Sequence, residues 1–268
     1  MMMRIRRCAA VAAAALSLAL VFSPAARADG NSLDDIIKAG VLKVAVPQDF
    51  PPFGSVGADL KPEGFDVDVA TMLAKDLGVK VELVPVTSAN RVPYLQTKKV
   101  DLVISSLGVT PDRAKSMAFS EPYAPYFSGV FGHADVKVST PADLSGKTIG
   151  VARGTLDDLS LTKLAPADAT IKRYDDQAAA SEAVISGQVQ LLASGNVAVA
   201  ALNKENPGKS LDEKFIMKQS PCSIGVRRGE PDLLQWVNAA IYSHKLDGSL
   251  DDMSVKWFGA KLPAFPVL

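Results

Sequence analysis

One pattern in this chain runs through once and then starts again, and it restricts the possible folds more than any other feature. VLKVAV (41–46), KVELVPV (80–86) and VDLVIS (100–105) are short runs of β-branched and aliphatic residues, each of strand length. Between the first two lies EGFDVDVATMLAKDLG (63–78), with Phe65, Val69, Met72, Leu73 and Leu77 at helical spacing and Gly78 closing it. NRVPYLQTKK (90–99) reads as a second, shorter helix. The order β-α-β-α-β, with runs apolar enough to be covered on both faces, predicts a parallel sheet between helices. From Lys147 the pattern repeats. KTIGVA (147–152), TIKRYD (170–175), VQLLAS (189–194) and KFIMK (214–218) read as strands. LDDLSLTKLA (156–165), AAASEAVISG (178–187) and VAVAALNKE (197–205) read as helices. Residues 233–248 and 250–259 close the chain as amphipathic helices.

Two α/β units of about 100 residues predict two lobes, an expected size for small domains. The segments between them, near YFSGVFG (126–132) and SPCSIGV (220–226), are short and rich in Gly and Ser and read as crossings between lobes. The division expected is residues 29–128 with 224–268 for lobe 1 and 129–223 for lobe 2.

Residues 1–28 stand apart. Arg4, Arg6 and Arg7 precede an apolar run, and Ala26-Arg27-Ala28 offers a cleavage site of the A-x-A kind, so the chain reads as secreted, with a product starting near Asp29. Removing them takes away four arginines and no acid. The remainder has 25 basic against 29 acidic residues, which argues against nucleic acid or an anionic membrane as partner. Cys222 is then the single cysteine, so the fold rests on its core and not on a disulfide. There is no phosphate-binding loop of the G-x-x-x-x-G-K-[ST] kind and no Cys/His metal spacing, so no cofactor and no metal are expected. His133 and His244 read as structural or surface residues, Trp236 and Trp257 as core.

The stretch SSLGVTPDRAKSMAFSEPY (105–123) carries the most chemistry. In an open parallel sheet, ligands bind beyond the carboxyl ends of the strands, and Ser105, Ser106 and Gly108 follow such an end. Thr110-Pro111 is a helix cap with Pro at the first helical position. Arg113 comes early in that helix, beside free backbone N–H groups. Hydroxyls, N–H groups and a forked guanidinium together describe a carboxylate receptor. The same residues are also compatible with an ordinary capped helix bearing a surface arginine.

The whole set of motifs, GVLKVAVPQDFPPFG, EGFDVDVATMLAKDLGVKVELVPV, NRVPYLQTKKVDLVISSLGVTPDRAKSMAFSEPY and LSGKTIGVARGT, resembles the family 3 periplasmic solute-binding proteins, the amino-acid-binding components of ABC importers. The likeness runs from about Leu33 to Phe258. It implies a two-lobed type II periplasmic binding protein fold. Each lobe would be a mostly parallel sheet flanked by helices, and two crossing strands would form a hinge. It implies a monomer in the periplasm that hands an amino acid or small carboxylate to a permease in the inner membrane. By resemblance, Arg113 pairs with the ligand's α-carboxylate, helped by Ser106 and Gly108, and Ser105 joins them by its place at the strand end. The turn Gly154-Thr155-Leu156 closes on it from lobe 2. Phe50 matches an aromatic that covers the ligand, and Arg91 matches a position that reaches a side-chain carboxylate in acidic-amino-acid binders. Arg153 reads as surface, and Asp49 as near the mouth.

Four departures bear on the ligand. The family places an aspartate for the α-ammonium where Gly195 stands here, often a Thr where Gly108 stands, and often a hydroxyl residue where Leu156 stands. Basic-amino-acid binders often carry an acid at the position of Pro47. These departures lead to the expectation of a polar ligand that is acidic, or is a carboxylate whose amine is weakly read, with cationic amino acids binding poorly. Two other functions share the fold. One is a cyclohexadienyl-dehydratase-like enzyme, which needs a general acid in the cleft and for which Asp49 alone could be nominated; the other is a ligand-presenting sensor.

Overall fold

The computed structural model describes residues 32–265. The leader expected over residues 1–28 lies outside the described residues. In chain order, α1 (Ser32–Ala39) leads into β1 (Val41–Pro47) and a small meander of β2 (Asp49–Phe50), β3 (Gly54–Val56) and β4 (Pro62–Glu63). Then come α2 (Phe65–Asp76), β5 (Lys80–Val86), α3 (Arg91–Gln96), β6 (Leu102–Val103), α4 (Pro111–Ala114) and β7 (Met117–Ala124). The next part holds β8 (Phe127–Gly132), β9 (Thr148–Ala152), α5 (Leu156–Leu164), β10 (Thr170–Tyr174), α6 (Gln177–Ile185), β11 (Leu191–Gly195), α7 (Asn196–Glu205) and β12 (Asp212–Gln219). The chain returns through β13 (Cys222–Arg227) to α8 (Pro231–Leu246) and α9 (Ser249–Phe258).

The strands form two five-stranded sheets, β5-β1-β6-β13-β7 and β10-β9-β11-β8-β12. In each, the first three strands are parallel and the last two pair antiparallel. Four strands of each sheet therefore run one way and one runs against them. The reversed strand, β13 or β8, is in each case the one that has just entered from the other lobe. This corrects the reading of YFSGVFG and SPCSIGV as crossings. Both are mostly strand, buried in the middle of a sheet, because alternate residues such as Val130, Ile224 and Val226 supply apolar side chains to the cores. The crossings themselves are shorter, Pro125 with Tyr126 and Ser220 with Pro221, and they meet where the Ser220 N–H donates to the Tyr126 carbonyl at 3.1 Å.

The helical spacing in residues 63–78 does what it implies: Phe65, Val69 and Leu73 of α2 are fully shut from solvent under the first sheet. Burying side chains of this size contributes about 1.5–3 kcal/mol each. Phe65 stacks on Tyr123, and Phe50 on Phe53, with centroids 6.0 and 5.6 Å apart. This first core also takes in Leu156 and Ala198 from the second lobe. The two lobes thus share apolar contact along the cleft that separates their sheets.

Candidate functional site

The turn after β6 is held from beneath. Ser105 is buried, and its carbonyl accepts from Nη1 of Arg91, the first residue of α3. Ser106 takes φ 42°, a left-handed conformation that costs a non-glycine residue energy. Its N–H donates to Oδ2 of Asp66 at 2.8 Å, while the Tyr123 hydroxyl donates to Oδ1 at 2.7 Å. Burial pushes the Asp66 carboxyl up to about 7, against the pull of those two donors and the Arg91 charge. Gly108 follows with its carbonyl turned to Nη1 of Arg113 at 2.8 Å.

α4 is a single turn started as the sequence implies. Thr110 Oγ1 accepts the Arg113 N–H at 3.1 Å, and Pro111 takes the first helical position. Arg113 then reaches across the cleft, where its Nη2 donates to the Gly154 carbonyl of the other lobe at 2.9 Å. The guanidinium therefore bridges the two lobes. Burial, reinforced by the neighbouring Arg91 charge, pushes it down to about 9, a direction that favours any anion brought to it.

The matching turn of the second lobe follows β9. Gly154 takes φ +75°, and a Cβ there would stand 3.3 Å from Ala89 of the first lobe, so the backbone itself comes close. Thr155 caps α5, accepting the Asp158 N–H at 3.0 Å and donating to the Ala152 carbonyl at 2.9 Å. Leu156 is buried against Gly108: a Cβ on Gly108 would lie 2.9 Å from its Cδ2. The two departures noted in sequence are one feature in space, since a bulky apolar side chain has filled the room left by a missing one.

The structure brings Arg113, Ser105, Ser106, Gly108, Gly154, Thr155 and Leu156 to one cleft between the lobes. Arg91 is buried beneath the same floor, with its Nη1 turned to the Ser105 carbonyl. Phe50 is buried too, in an aromatic cluster with Phe53 and Tyr126. Arg153 is on the surface, 3.7 Å from Asp175. Gly195 ends β11, and a Cβ on it would meet the Tyr126 ring at 2.3 Å, so no side chain fits there while Tyr126 holds its place. Two other polar side chains are already engaged: the Asn196 side-chain carbonyl accepts the Phe127 N–H at 3.1 Å, and Asp49 Oδ2 accepts the Gln177 N–H across the lobes at 2.7 Å. The remaining residues behave as structure. His244 contacts Asp76 at 2.7 Å, Trp257 donates to Asp68 at 2.7 Å, and Cys222 is buried.

Sequence reasoning missed Asp157 and its partner Tyr126 here. Asp157, in the first turn of α5, is wholly buried, and the Tyr126 hydroxyl donates to its Oδ2 at 2.7 Å. Burial pushes its carboxyl above the ordinary range, against the pull of Ser128, Tyr126 and Arg91. The sequence places Asp157 and Asp158 side by side at a helix start, where acids are common. Nothing in the pair says that Asp158 faces Arg173, at 2.8 Å, while Asp157 turns inward. No group of three or more His, Cys, Asp or Glu residues that could hold a metal occurs among the described residues.

The model of the bacterial extracellular solute-binding proteins, family 3, matches residues 42–260. The L-cystine-binding protein TcyJ of Escherichia coli (strain K12) is 32% identical over 253 residues, covering 92% of this chain and 93% of that protein. Among solved structures, the P235GK mutant of ArgBP from T. maritima superposes with a TM-score of 0.80 at 31% identity, covering 85% of this chain and 99% of that one. The solute receptor for L-cysteine of Neisseria gonorrhoeae superposes with a TM-score of 0.79 at 35% identity, covering 84% and 92%.

Proposed function

Because the chain belongs to the bacterial extracellular solute-binding proteins of family 3, we propose that it captures an amino acid between its lobes and delivers it to an ABC permease of the inner membrane. In this reading it works in the periplasm as a monomer, and Arg113 anchors the ligand's carboxylate. The observation that carries the reading is the position of that guanidinium. It lies at the carboxyl end of a parallel strand, is largely desolvated, and contacts both lobes at once through the Gly108 and Gly154 carbonyls. A carboxylate entering there exchanges two neutral acceptors for a charged, two-pronged one, the stronger kind of partner. Each lobe gains from the same ligand, so binding favours closure.

The named relatives support an amino acid over other carboxylates, and two of them, for L-cystine and L-cysteine, put sulfur-containing amino acids first for testing. The test is a thermal-shift screen of the L-amino acids, L-cystine and small dicarboxylates, followed by titration calorimetry on any compound that raises the melting temperature. An amino acid binding at micromolar concentration is expected. A protein that responds to none of them, yet converts prephenate to phenylpyruvate, would be a dehydratase on this fold and not a binding protein.

A further inference from the structure

The acids near the cleft are not equivalent. Both Asp66 oxygens have donors, Tyr123 and Ser106. Asp49 is used across the lobes by Gln177, and Asp158 by Arg173 and the Gly154 N–H. Asp157 alone of these has a buried oxygen, Oδ1, with no hydrogen-bond partner among the described residues. The Ser128 hydroxyl stands close enough to lower that carboxyl but completes no hydrogen bond to it, and the Arg91 Nε is buried and unpartnered as well. A carboxylate fully removed from water with one oxygen unbonded is costly, and so are the donors beside it. The charges of Arg113 and Arg91 act on Asp157, yet neither guanidinium hydrogen-bonds to it: Arg91 turns to Ser105 and Arg113 to the two turn carbonyls.

An α-amino acid carries a carboxylate and an ammonium on one carbon. Its receptor needs a cation and an anion close together that have not already neutralised each other. Arg113 and Asp157 meet that condition, one from each lobe. We propose that Asp157 is the receptor for the ligand's α-ammonium, through Oδ1, with Tyr126 as the residue that positions it. The ligand is then a zwitterionic L-amino acid, read at both charged ends. Tyr126 fixes Asp157 by its hydroxyl bond to Oδ2, and its ring fills the space that any side chain at Gly195 would need. Gly195 is therefore not a missing anion, because the anion enters from the neighbouring helix start. Tyr126 is also one of the two residues of the first crossing, so the ammonium site is joined directly to the segment about which the lobes close. The expectation of a weakly read amine gives way to one that is strictly read.

The inference rests on the amino-acid reading above, and one set of measurements separates the two. The L-amino acids and L-cystine are titrated into the wild-type protein, and the tightest binder is compared with the α-hydroxy acid of the same skeleton. The wild type is expected to prefer the amino acid by at least about 30-fold, the order for a buried charge left without its partner. Asp157→Asn keeps the shape and an acceptor for Tyr126 but removes the charge. It is expected to bring that preference below about threefold. Tyr126→Phe removes only a hydroxyl, so it serves if Asp157→Asn fails to fold, and it should lower the preference several-fold. An amino acid that binds both variants with the wild-type preference intact overturns the role of Asp157 and leaves the amino-acid reading standing. Failure of every amino acid to bind the wild type overturns both.

Discussion

The two turns that face each other across the cleft are built alike and charged oppositely. Each follows a parallel strand, β6 or β9, and each ends in a threonine that caps a helix, Thr110 or Thr155. In the first lobe the helix is a single turn with Arg113 in it; in the second it is nine residues long and opens Leu156-Asp157-Asp158. Acids at a helix start are favoured by the helix dipole, whereas a cation there is opposed by it. Asp158 accounts for itself by local structure, since it takes the Gly154 N–H and an ion pair with Arg173. Arg113 does not, because among the described residues no anion of the first lobe is bonded to it, and its side-chain contacts are carbonyls. Local rules explain an acid at the position of Asp157 but not its complete burial, and they explain the first turn except for Arg113. The two residues left over are the two assigned to the ligand.

The largest expected effect comes from removing the cation. Arg113→Ala deletes the proposed carboxylate anchor and a bridge between the lobes, and truncating one partner of a buried charge pair costs about 2–5 kcal/mol. That corresponds to a loss of about 30-fold to several thousand-fold in affinity. Arg113→Lys should also weaken binding, because an ammonium cannot reproduce the planar fork. Calorimetry giving an Arg113→Ala affinity within about twofold of wild type would move the site elsewhere.

The next effect concerns the apolar seam between the turns. Gly108→Val places methyl groups where Leu156 Cδ2 and Ser220 Oγ already stand, 2.9 and 3.0 Å from the first added carbon. Overpacking of this kind costs about 1–3 kcal/mol. Leu156 comes from the other lobe, so the clash opposes their approach and affinity should drop. Adding Leu156→Ala should restore part of the loss. A Gly108→Val protein that binds normally would show that Leu156 does not face Gly108 in the complex.

Much of this molecule was legible in the sequence, and the limits follow from how signals are written. The helix of residues 63–78 and the strands β1, β5, β9 and β10 show their period within one segment, so they were readable one at a time. β8 and β13 were not, because their Gly- and Ser-rich runs resemble linkers until a sheet is built on both sides. β7 carries Ser120, Glu121 and Pro122 inside a strand, which no period reveals. In the candidate site, the position of Arg113 at the cleft was legible through its turn and its motif. Asp157 was hidden because an acid at a helix start is already explained by the helix. The link from Gly195 to Tyr126 joins residues far apart in sequence, and the steric reason for that glycine exists only in the folded chain.

A smaller effect is expected at the outer edge of the cleft. Asp49 of the first lobe accepts the Gln177 N–H at the start of α6 in the second, at 2.7 Å. Burial raises the Asp49 carboxyl, and the nearby Asp176 charge raises it further against the Gln177 bond. A charge-assisted bond of this kind is worth about 1.5–3 kcal/mol when fully formed, and the opposing Asp176 charge reduces that. Asp49→Ala should therefore weaken ligand binding by a few-fold and shift the unliganded protein toward a larger radius of gyration in small-angle scattering. Identical scattering curves with unchanged affinity would remove Asp49 from the closure mechanism.

The smallest effect is one of pH, and it tests the floor of the first turn apart from any ligand. The Asp66 carboxyl is pushed up to about 7 in the folded protein, against about 3.9 in an unfolded chain. Between those values the folded state holds a proton that the unfolded state has released. Stability contributed by this group is therefore present at low pH and falls as pH rises through the window, reaching its floor above about 7. Other carboxylates act in the opposite sense, so the wild-type melting curve alone does not isolate it. Asp66→Asn does, because the amide cannot titrate. It has its own fixed cost, since two donors, Ser106 N–H and Tyr123 O–H, now face one acceptor and an N–H group. The quantity to read is the change in melting temperature between pH 5 and pH 8. Wild type should lose several degrees more over that interval than Asp66→Asn. If the two slopes coincide, Asp66 is ionised throughout, the Arg91 charge outweighs burial beneath the turn, and the floor of the cleft is a fixed ion pair with no titrating group.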